Sequence, residues 1–151
     1  MNGQSEALEI NAVRLDSGAP LPRSARAGDA GIDLMAVTGV HLVHGGGRAV
    51  CGTGLCLAIP PGYCGLVMPR SGLARKHGVT CLNTPGLIDS GYRGEIQVLV
   101  VNTDPIEDYD IAAGDRIAQL VVVAFAAVRL VAVDALPLSE RGEQGWGHSG
   151  R

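Results

Sequence analysis

The 151-residue chain has a formal net charge of −3, with 46% hydrophobic and 18% charged residues. This composition is typical of one globular domain and excludes an intrinsically disordered chain. The negative charge argues against a nucleic-acid polymer as partner, since a phosphate backbone favours a basic face, whereas a nucleotide monomer needs only a few local arginines.

Short runs of aliphatic and β-branched residues alternate with Gly- and Pro-rich turns, which indicates many short strands. They predict strands at 7–13, 31–36, 40–43, 49–59 with a break at 52–54, 63–68, 79–82, 87–88, 94–102 and 116–133. One helix of about two turns is predicted at 71–77. No strand–helix–strand alternation appears, which argues against a Rossmann or P-loop fold. We therefore expect an all-β fold, a jelly-roll-like barrel or sandwich with one short helix.

The end of the chain differs in character from the rest. The sequence LPLSERGEQGWGHSGR is polar and rich in glycine, and it contains Trp146, the only tryptophan. A polar, terminal segment is by itself expected to be mobile. We therefore divide the chain into a β-barrel domain at 1–135 and a flexible C-terminal arm at 136–151.

The N-terminal sequence, the longest apolar run and the cysteine spacing indicate the cellular location of the protein and the redox state of its thiols. The start, MNGQSEALEI, lacks the basic and apolar regions of a signal peptide, and the longest apolar run, at 117–133, suits a buried strand better than a membrane span. We expect a cytoplasmic protein with no membrane contact. The cysteines form no CxxC pair and the histidines show no ligand spacing, so reduced, mostly buried thiols are expected at Cys51, Cys56, Cys64 and Cys81.

Two segments in the first half combine polar side chains with glycine. At 23–36, Asp29 and Asp33 lie at the start of a predicted strand, where ordinary turn chemistry is a sufficient explanation. At 68–74, MPRSGLA places Arg70 and Ser71 where a strand gives way to the short helix. Ser71 is a candidate N-cap, and the helix start is also a candidate anion site.

Two further segments lie in the second half. LNTPGLIDSGYRGEI at 82–96 is predicted to form a hairpin, and loop residues on a rigid β scaffold are common sites of function. It carries Asn83, Asp89, Tyr92, Arg93 and Glu95. GDRIAQL at 114–120 places Asp115, Arg116 and Gln119 at the start of a predicted strand. An ion pair on the surface is a sufficient explanation for Arg116 and Asp115.

The tail sequence GWGHSG at 145–150 matches the pattern G-x-G-x-x-G. It is not a dinucleotide fingerprint, because no strand precedes it and no helix follows. A P-loop is excluded for want of its lysine. What remains is a flexible backbone whose amides are able to wrap a phosphate.

Taken together and in this order, the segments resemble the five motifs of the trimeric dUTP pyrophosphatase (dUTPase) family. AGDAGIDL, PRSGLA, GLIDSGYRGE and GDRIAQ look like close copies of its first four motifs. The fifth departs from the pattern, since the family usually has Phe at the position of Trp146 and Ser and Thr at those of His148 and Ser149. The resemblance implies a homotrimeric, Mg²⁺-dependent enzyme that hydrolyses dUTP to dUMP and pyrophosphate, in nucleotide metabolism.

The resemblance also implies roles for single residues. Asp89 matches the carboxylate that activates the water attacking the α-phosphorus. Asp33 matches the aspartate that holds Mg²⁺ through water, and Tyr92 the tyrosine that packs under the deoxyribose and excludes a 2′-hydroxyl. Asn83 and the backbone through Ile88 resemble the uracil pocket. The matching phosphate and arm positions are Arg70, Ser71, Gly72, Gln119, Arg141, Trp146, Gly147 and Ser149.

Within such a trimer each site borrows motifs from three subunits: one gives the first, second and fourth, another the third, and the last the arm. Two alternatives stay open. One is a dCTP deaminase or bifunctional deaminase–pyrophosphatase of the same fold, which ammonia release from dCTP would identify. The other is a non-catalytic trimeric regulator, for which loss of the base carboxylate would be expected, whereas Asp89 is present.

Overall fold

The computed structural model describes residues 7–15, 21–140 and 142–143. These residues form ten β-strands and one short α-helix. In chain order the elements are β1 (Asn11–Arg14), β2 (Ile32–Met35), β3 (Val40–Leu42), β4 (Arg48–Ala58), β5 (Tyr63–Pro69), α1 (Ser71–His77), β6 (Val79–Cys81), β7 (Gly86–Ile88), β8 (Glu95–Asn102), β9 (Tyr109–Ile111) and β10 (Arg116–Ala124). The all-β prediction with one helix at 71–77 is confirmed.

Two antiparallel four-stranded sheets make up most of the molecule. The first has the strand order β1-β4-β8-β6 and the second has the order β2-β10-β5-β7. A two-stranded ribbon of β3 and β9 completes the fold. The second sheet positions most of the site, because its four strands carry the first, second, fourth and part of the third of the motif-like segments.

Both sheets contribute to one aliphatic core, in keeping with an aromatic content of only 3%. Leu34, Ile96, Val100 and Ala118 are fully buried, and Leu120 is 2% exposed. Each buried Leu or Ile stabilises the fold by about 1.5–3 kcal/mol relative to an exposed one. The core therefore holds the two sheets together and fixes the strands from which the candidate site residues project.

Several predicted strand bounds were wrong. The first strand begins at Asn11, not at residue 7, and the last ends at Ala124 instead of continuing to 133. The predicted break at 52–54 is a shift in strand register within the continuous β4. The short β9 was not predicted at all. Each miss concerns pairing with a distant strand, which local sequence does not report.

The thiols lie where they were expected. Cys51, Cys64 and Cys81 are buried, Cys56 is half-buried, and all four are free. Burial raises the pKa of the Cys51 thiol, and burial together with the neighbouring Cys51 raises the pKa of Cys81 to about 11. Among the described residues, no helix has the length and apolar character that a membrane crossing would need.

Candidate active site

One group of candidate residues is built around the carboxylate of Asp33 on β2. Its Oδ1 atom lies 3.2 Å from Nε of Arg70, and its Oδ2 atom lies 3.2 Å from a terminal nitrogen of Arg116. The Arg70 guanidinium also donates to the backbone carbonyl of Arg116 at 3.0 Å. Because the carboxylate is 23% exposed, the three side chains form a partly shielded charge cluster with a net positive charge.

The interpretation of Arg116 and Asp115 as a surface pair was wrong. Arg116 faces Asp33 across the β2–β10 pair, while a carboxylate oxygen of Asp115 accepts the backbone N–H of Ala112 at 2.8 Å. Arg116 therefore belongs to the same cluster as Arg70. The GDRIAQL segment pointed to this residue, but its backbone partner on β2 is Met35, and only the side-chain contact identifies Asp33 as its ion-pair partner.

Gln119 lies on β10, the strand between β2 and β5. It is paired with Asp33 on β2 and with Met68 on β5, and its Nε2 atom donates to the carbonyl of Pro69 at 3.1 Å. A Cβ atom at Gly31 would lie 2.5 Å from Oε1 of Gln119. Glycine at position 31 is therefore what allows the amide to occupy this position beside the cluster.

Ser71 and Gly72 begin α1, directly after Arg70. Ser71 is the first helical residue and Arg70 the N-cap, and no side chain caps the helix, so the prediction of Ser71 as N-cap was wrong. Both residues are exposed, and the first turn holds no acidic residue. The helix start is therefore open toward solvent and free of negative charge, next to the arginine cluster.

The second group of candidate residues lines two adjoining cavities beside β7. The larger has a volume of about 320 Å³ and is lined by Leu87, Ile88, Asp89, Tyr92, Glu95 and Gln97. The smaller has a volume of about 60 Å³ and is lined by Val67, Cys81, Asn83, Gly86, Leu87, Ile88, Gln97, Val98 and Leu99. The structure thus brings Asn83, Ile88, Asp89 and Tyr92 together along one groove.

The segment that carries Asp89 and Tyr92 is not the hairpin that was predicted. β7 pairs with β5, whereas β8 pairs with β4 and β6, so the segment crosses from one sheet to the other. Its turn is closed by the Tyr92 amide, which donates to the Asp89 carbonyl at 3.0 Å. The Arg93 guanidinium donates to the carbonyls of Ser90 and Tyr92 at 2.6 and 2.8 Å. These bonds hold the exposed Asp89 carboxylate at the rim of the groove.

Within one chain the two groups lie at opposite ends of β5. Ile88 is paired with Gly65, near the start of that strand, and Asp89 follows it. Arg70 lies five residues beyond Gly65, a distance of about 17 Å along an extended strand. The structure therefore does not bring Asp89 to Asp33, Arg70 and Gln119 within a single chain.

A third cavity, of about 180 Å³, adjoins the arginine cluster. It is lined by Arg70, Leu73, Tyr109, Ile111, Asp115, Arg116 and Ile117. Burial, with the nearby Asp115 carboxylate adding to it, raises the pKa of Tyr109. Sequence reasoning missed Tyr109 because β9 was missed, although the three residues Tyr-Asp-Ile alternate as a short half-buried strand does.

The predicted Mg²⁺ site and the predicted C-terminal arm differ from the other candidate residues. Among the residues that the structure describes, no group of three or more His, Cys, Asp or Glu side chains is arranged to hold a metal ion. Asp33 alone therefore does not make a complete protein site for Mg²⁺. The predicted arm residues Arg141, Trp146, Gly147 and Ser149, together with His148, lie outside the described residues.

The chain is similar to known proteins over most of its length. A protein from Leifsonia xyli named deoxyuridine 5′-triphosphate nucleotidohydrolase is 54% identical over 130 residues, which cover 86% of this chain and 85% of that protein. One of the same name from Mycobacterium leprae is 50% identical over 143 residues, covering 91% and 92%.

Solved structures agree with these relatives. The dUTPase of Staphylococcus bacteriophage 80alpha with dUPNHPP matches with a TM-score of 0.86 and 29% identity, over 96% of this chain and 100% of that one. A mutant dUTPase from phage phi11 of S. aureus, described for its coordination of a structural Mg(II) ion, matches with a TM-score of 0.75 and 26% identity, over 85% and 98%. The predicted jelly-roll-type fold is thereby confirmed. Because the dUTPase family model also matches residues 17–150, this chain belongs to the dUTPase family.

Proposed function

We propose that the protein hydrolyses dUTP to dUMP and pyrophosphate, in a homotrimer whose sites are shared between subunits. Family membership and the names of the relatives support the reaction. The observation that carries the proposal is the groove beside β7, where Asn83, Ile88, Asp89 and Tyr92 line adjoining cavities of about 60 and 320 Å³. A small cavity beside a larger one suits a base followed by a sugar and its phosphates.

Asp89 is the general base of this proposal. Its carboxylate is exposed at the rim of the groove and is free to take a proton from a water molecule that attacks the α-phosphorus. The oxygen of that water forms the new bond to phosphorus, and pyrophosphate leaves. A base held in position contributes about a hundred- to ten-thousand-fold to the rate. The backbone bonds of Arg93 and Tyr92 keep the turn that carries Asp89 in place.

Substrate selection falls to the rest of the groove. Asn83 and the backbone up to Ile88 bind the uracil, where an edge that donates to O4 and accepts from N3–H mismatches cytosine. Tyr92 is 45% exposed and lines the larger cavity. In this proposal its ring packs under the deoxyribose, which leaves no room for a 2′-hydroxyl. Mismatched hydrogen bonding in a buried pocket discriminates by about ten-thousand-fold.

The positive cluster of Asp33, Arg70 and Arg116 binds the triphosphate in this proposal. Arg70, Ser71, Gly72 and Gln119 contact phosphate or position water, and Arg suits phosphate because its planar fork donates two parallel hydrogen bonds. The exposed helix start without acidic residues is compatible with that role. Arg141, Trp146, Gly147 and Ser149 act from the arm at 136–151, which closes over the site.

Mg²⁺ fits this site only as an ion held mainly by the substrate. Both oxygens of Asp33 already face guanidinium groups, and among the described residues no group of three or more His, Cys, Asp or Glu side chains is arranged to hold a metal ion. Mg²⁺ normally keeps several waters and binds few protein carboxylates, so Asp33 would contact it through water. When bound, the ion would neutralise charge on the triphosphate and restrict its geometry.

The trimer rests on two observations. The first is the separation of Asp89 from the arginine cluster within one chain. In a trimer, the Asp89 of one subunit would lie beside the arginine cluster of another, so that two chains together complete each site. The second is apolar surface that one chain leaves uncovered. On the outer face of the first sheet, Val50 is 55% and Leu82 is 46% exposed. Beyond β10 the exposed apolar residues are Phe125, Val128, Leu130, Val131, Val133, Leu136 and Leu138.

The test is pyrophosphate release from dUTP, dTTP, dCTP and UTP, each with and without Mg²⁺. We expect pyrophosphate, and no orthophosphate, from dUTP, and its suppression by a chelator. Comparable turnover of dTTP or UTP would contradict the assigned pocket. Ammonia release from dCTP would identify a deaminase, and no turnover of any of the four would favour a non-catalytic regulator.

A cytoplasmic location is part of the proposal, and fractionation of the source cells would test it.

A further inference from the structure

Tyr92 is held by its hydroxyl as well as by its backbone. The hydroxyl donates to the carbonyl of Glu95 at 3.0 Å, and the ring lies so close over Gly94 that a Cβ atom there would be 2.5 Å from the hydroxyl oxygen. Tyr92 as a residue is 45% exposed. The bond from its hydroxyl to the Glu95 carbonyl therefore ties the orientation of the ring to the position of that carbonyl.

Glu95 is in turn attached to β4 by its side chain. Its Oε1 atom accepts the backbone N–H of Gly54 at 2.8 Å, and its Oε2 atom accepts from Nε2 of Gln97 at 3.2 Å. These bonds lie where the β4–β8 register shifts between Gly52 and Cys56. The carboxylate thus bonds an amide in the irregular stretch of the ladder, and a charged acceptor strengthens that bond.

The sequence of β4 is adapted to this arrangement. A Cβ atom at Gly52 would lie 2.7 Å from Oε1 of Glu95, so glycine leaves room for the carboxylate. Gly54 has a φ of +65°, which favours glycine and turns its amide out of the regular ladder. The buried Thr53 between them donates to the carbonyl of Ile96 at 2.6 Å. The irregular stretch of β4 is therefore bonded to β8 at two successive residues, Glu95 and Ile96.

We propose that Glu95 is a positioning residue for substrate selection: its bond to Gly54 fixes the carbonyl that orients the Tyr92 ring, and thereby the discrimination between deoxyribose and ribose. The inference rests on the proposed function, since it assigns to Glu95 a part in the selection made by Tyr92. Glu95 lines the larger cavity, but its two carboxylate oxygens are already engaged by Gly54 and Gln97.

The test compares kcat/KM for dUTP and UTP in three variants. Glu95→Leu keeps the bulk but leaves the Gly54 amide without its acceptor, and it should lower the dUTP-to-UTP ratio by about ten-fold, mainly through better use of UTP. Glu95→Gln keeps an acceptor oxygen and should preserve most of the ratio. Tyr92→Phe keeps the ring and removes its tether, so the ratio should fall in the same direction. It also tests the tether if Glu95→Leu does not fold.

A double variant and a control separate positioning from stability. If Glu95 acts through the Tyr92 tether, the effects of Glu95→Leu and Tyr92→Phe on the ratio should not add. Thr53→Val removes the neighbouring bond to Ile96, and it should lower the melting temperature and leave the ratio unchanged. An unaltered ratio in folded Glu95→Leu, or an equal loss in Glu95→Gln, would overturn the inference. Wild-type protein without dUTP hydrolysis would instead overturn the proposed function, and this is measured before any variant.

Discussion

Arg70 binds Asp33 through its Nε atom at 3.2 Å, and the terminal nitrogen of the same guanidinium reaches the Arg116 carbonyl at 3.0 Å. The first, second and fourth motif-like segments therefore meet at one carboxylate. Because Asp33 also binds Arg116, it limits the movement of two cations that the proposal places against phosphate.

The first prediction concerns that carboxylate. Asp33→Asn leaves two guanidinium groups without their counter-charge, so they should move and hold the triphosphate less well. We expect kcat/KM for dUTP to fall by about ten-fold or more. Titration of Mg²⁺ against the rate separates two explanations. An increased Mg²⁺ requirement supports water-mediated contact with the ion, whereas an unchanged requirement assigns the loss to the arginines alone.

The second prediction concerns Asp89. Asp89→Asn preserves the shape of the side chain and removes its basicity, so kcat should fall by about a hundred-fold or more while a non-hydrolysable dUTP analogue still binds. The matched control is Asp29→Asn, an exposed carboxylate in the same chain that lies outside both groups. A kcat within a few-fold of wild type would exclude Asp89 as the base.

The third prediction concerns assembly. The mass in solution should be three times the 15.5 kDa of one chain. Asp89→Asn protein and protein truncated after Glu140 should each be inactive, and unfolding and refolding them together should restore part of the activity. This follows because mixed trimers contain sites with an intact base and an intact arm. A stable and fully active monomer contradicts the shared site.

The fourth prediction concerns pH and the β3–β9 ribbon. A hydrogen bond to Asp110, aided by the charges of Asp110 and Asp108, raises the pKa of His41 above 6.5. Asp108 also accepts from the ring and the amide of His44. The stabilisation by His41 is complete below its unfolded pKa and is lost as the pH rises through the folded pKa.

Melting temperatures of wild type and His41→Gln measure this contribution. The difference between the two melting temperatures should be largest at about pH 5.5. It should vanish at about pH 8.5, where the imidazole is neutral in both the folded and the unfolded state. All four groups are largely exposed, so added salt should reduce the difference. A difference that does not vary with pH would show that the ring acts only by packing.

The fifth prediction concerns the arm. If Trp146 stacks on uracil, Trp146→Ala should lower kcat/KM by roughly five- to a hundred-fold, which is the effect of about 1–3 kcal/mol of stacking. Because Trp146 is the only tryptophan, its fluorescence should change with a non-hydrolysable dUTP analogue and Mg²⁺, and change less with dUMP. Unchanged emission, together with full activity of protein truncated after Glu140, would show that the arm takes no part in substrate binding or catalysis.

Local sequence predicts those features whose causes are local. The helix at 71–77 has its predicted bounds, and Gly78, with a φ of +64°, ends it. Runs of aliphatic residues separated by Gly- and Pro-rich turns correctly indicated β5 and β8. By contrast, the end of β10 at Ala124 depends on β5 beginning at Tyr63, its last partner. Among the residues that the structure describes, the valine-rich continuation pairs with no further strand, so propensity alone extended the predicted strand too far.

In the candidate site, too, sequence alone identifies residues in short motifs but not contacts that depend on pairing between distant strands. Motif-like segments singled out Asp33, Arg70 and Gln119 from the sequence, and these three lie together. The role of Arg116 and the bond from Glu95 to Gly54 were missed, because each depends on the register between strands far apart in the chain. Side-chain pairing across a shifted register has no signal in a single sequence.

The placement of the thiols has a practical consequence for spectroscopy. Three of the four cysteines are buried, and burial raises the pKa of two of them, so alkylating reagents find little thiolate there. Only Cys56 is half-buried. Replacing that one residue by serine would give a background in which a new cysteine on the C-terminal arm accepts a spin label or fluorophore selectively. If the protein is the proposed trimer, distances between labels on neighbouring subunits would report the position of the arm during turnover.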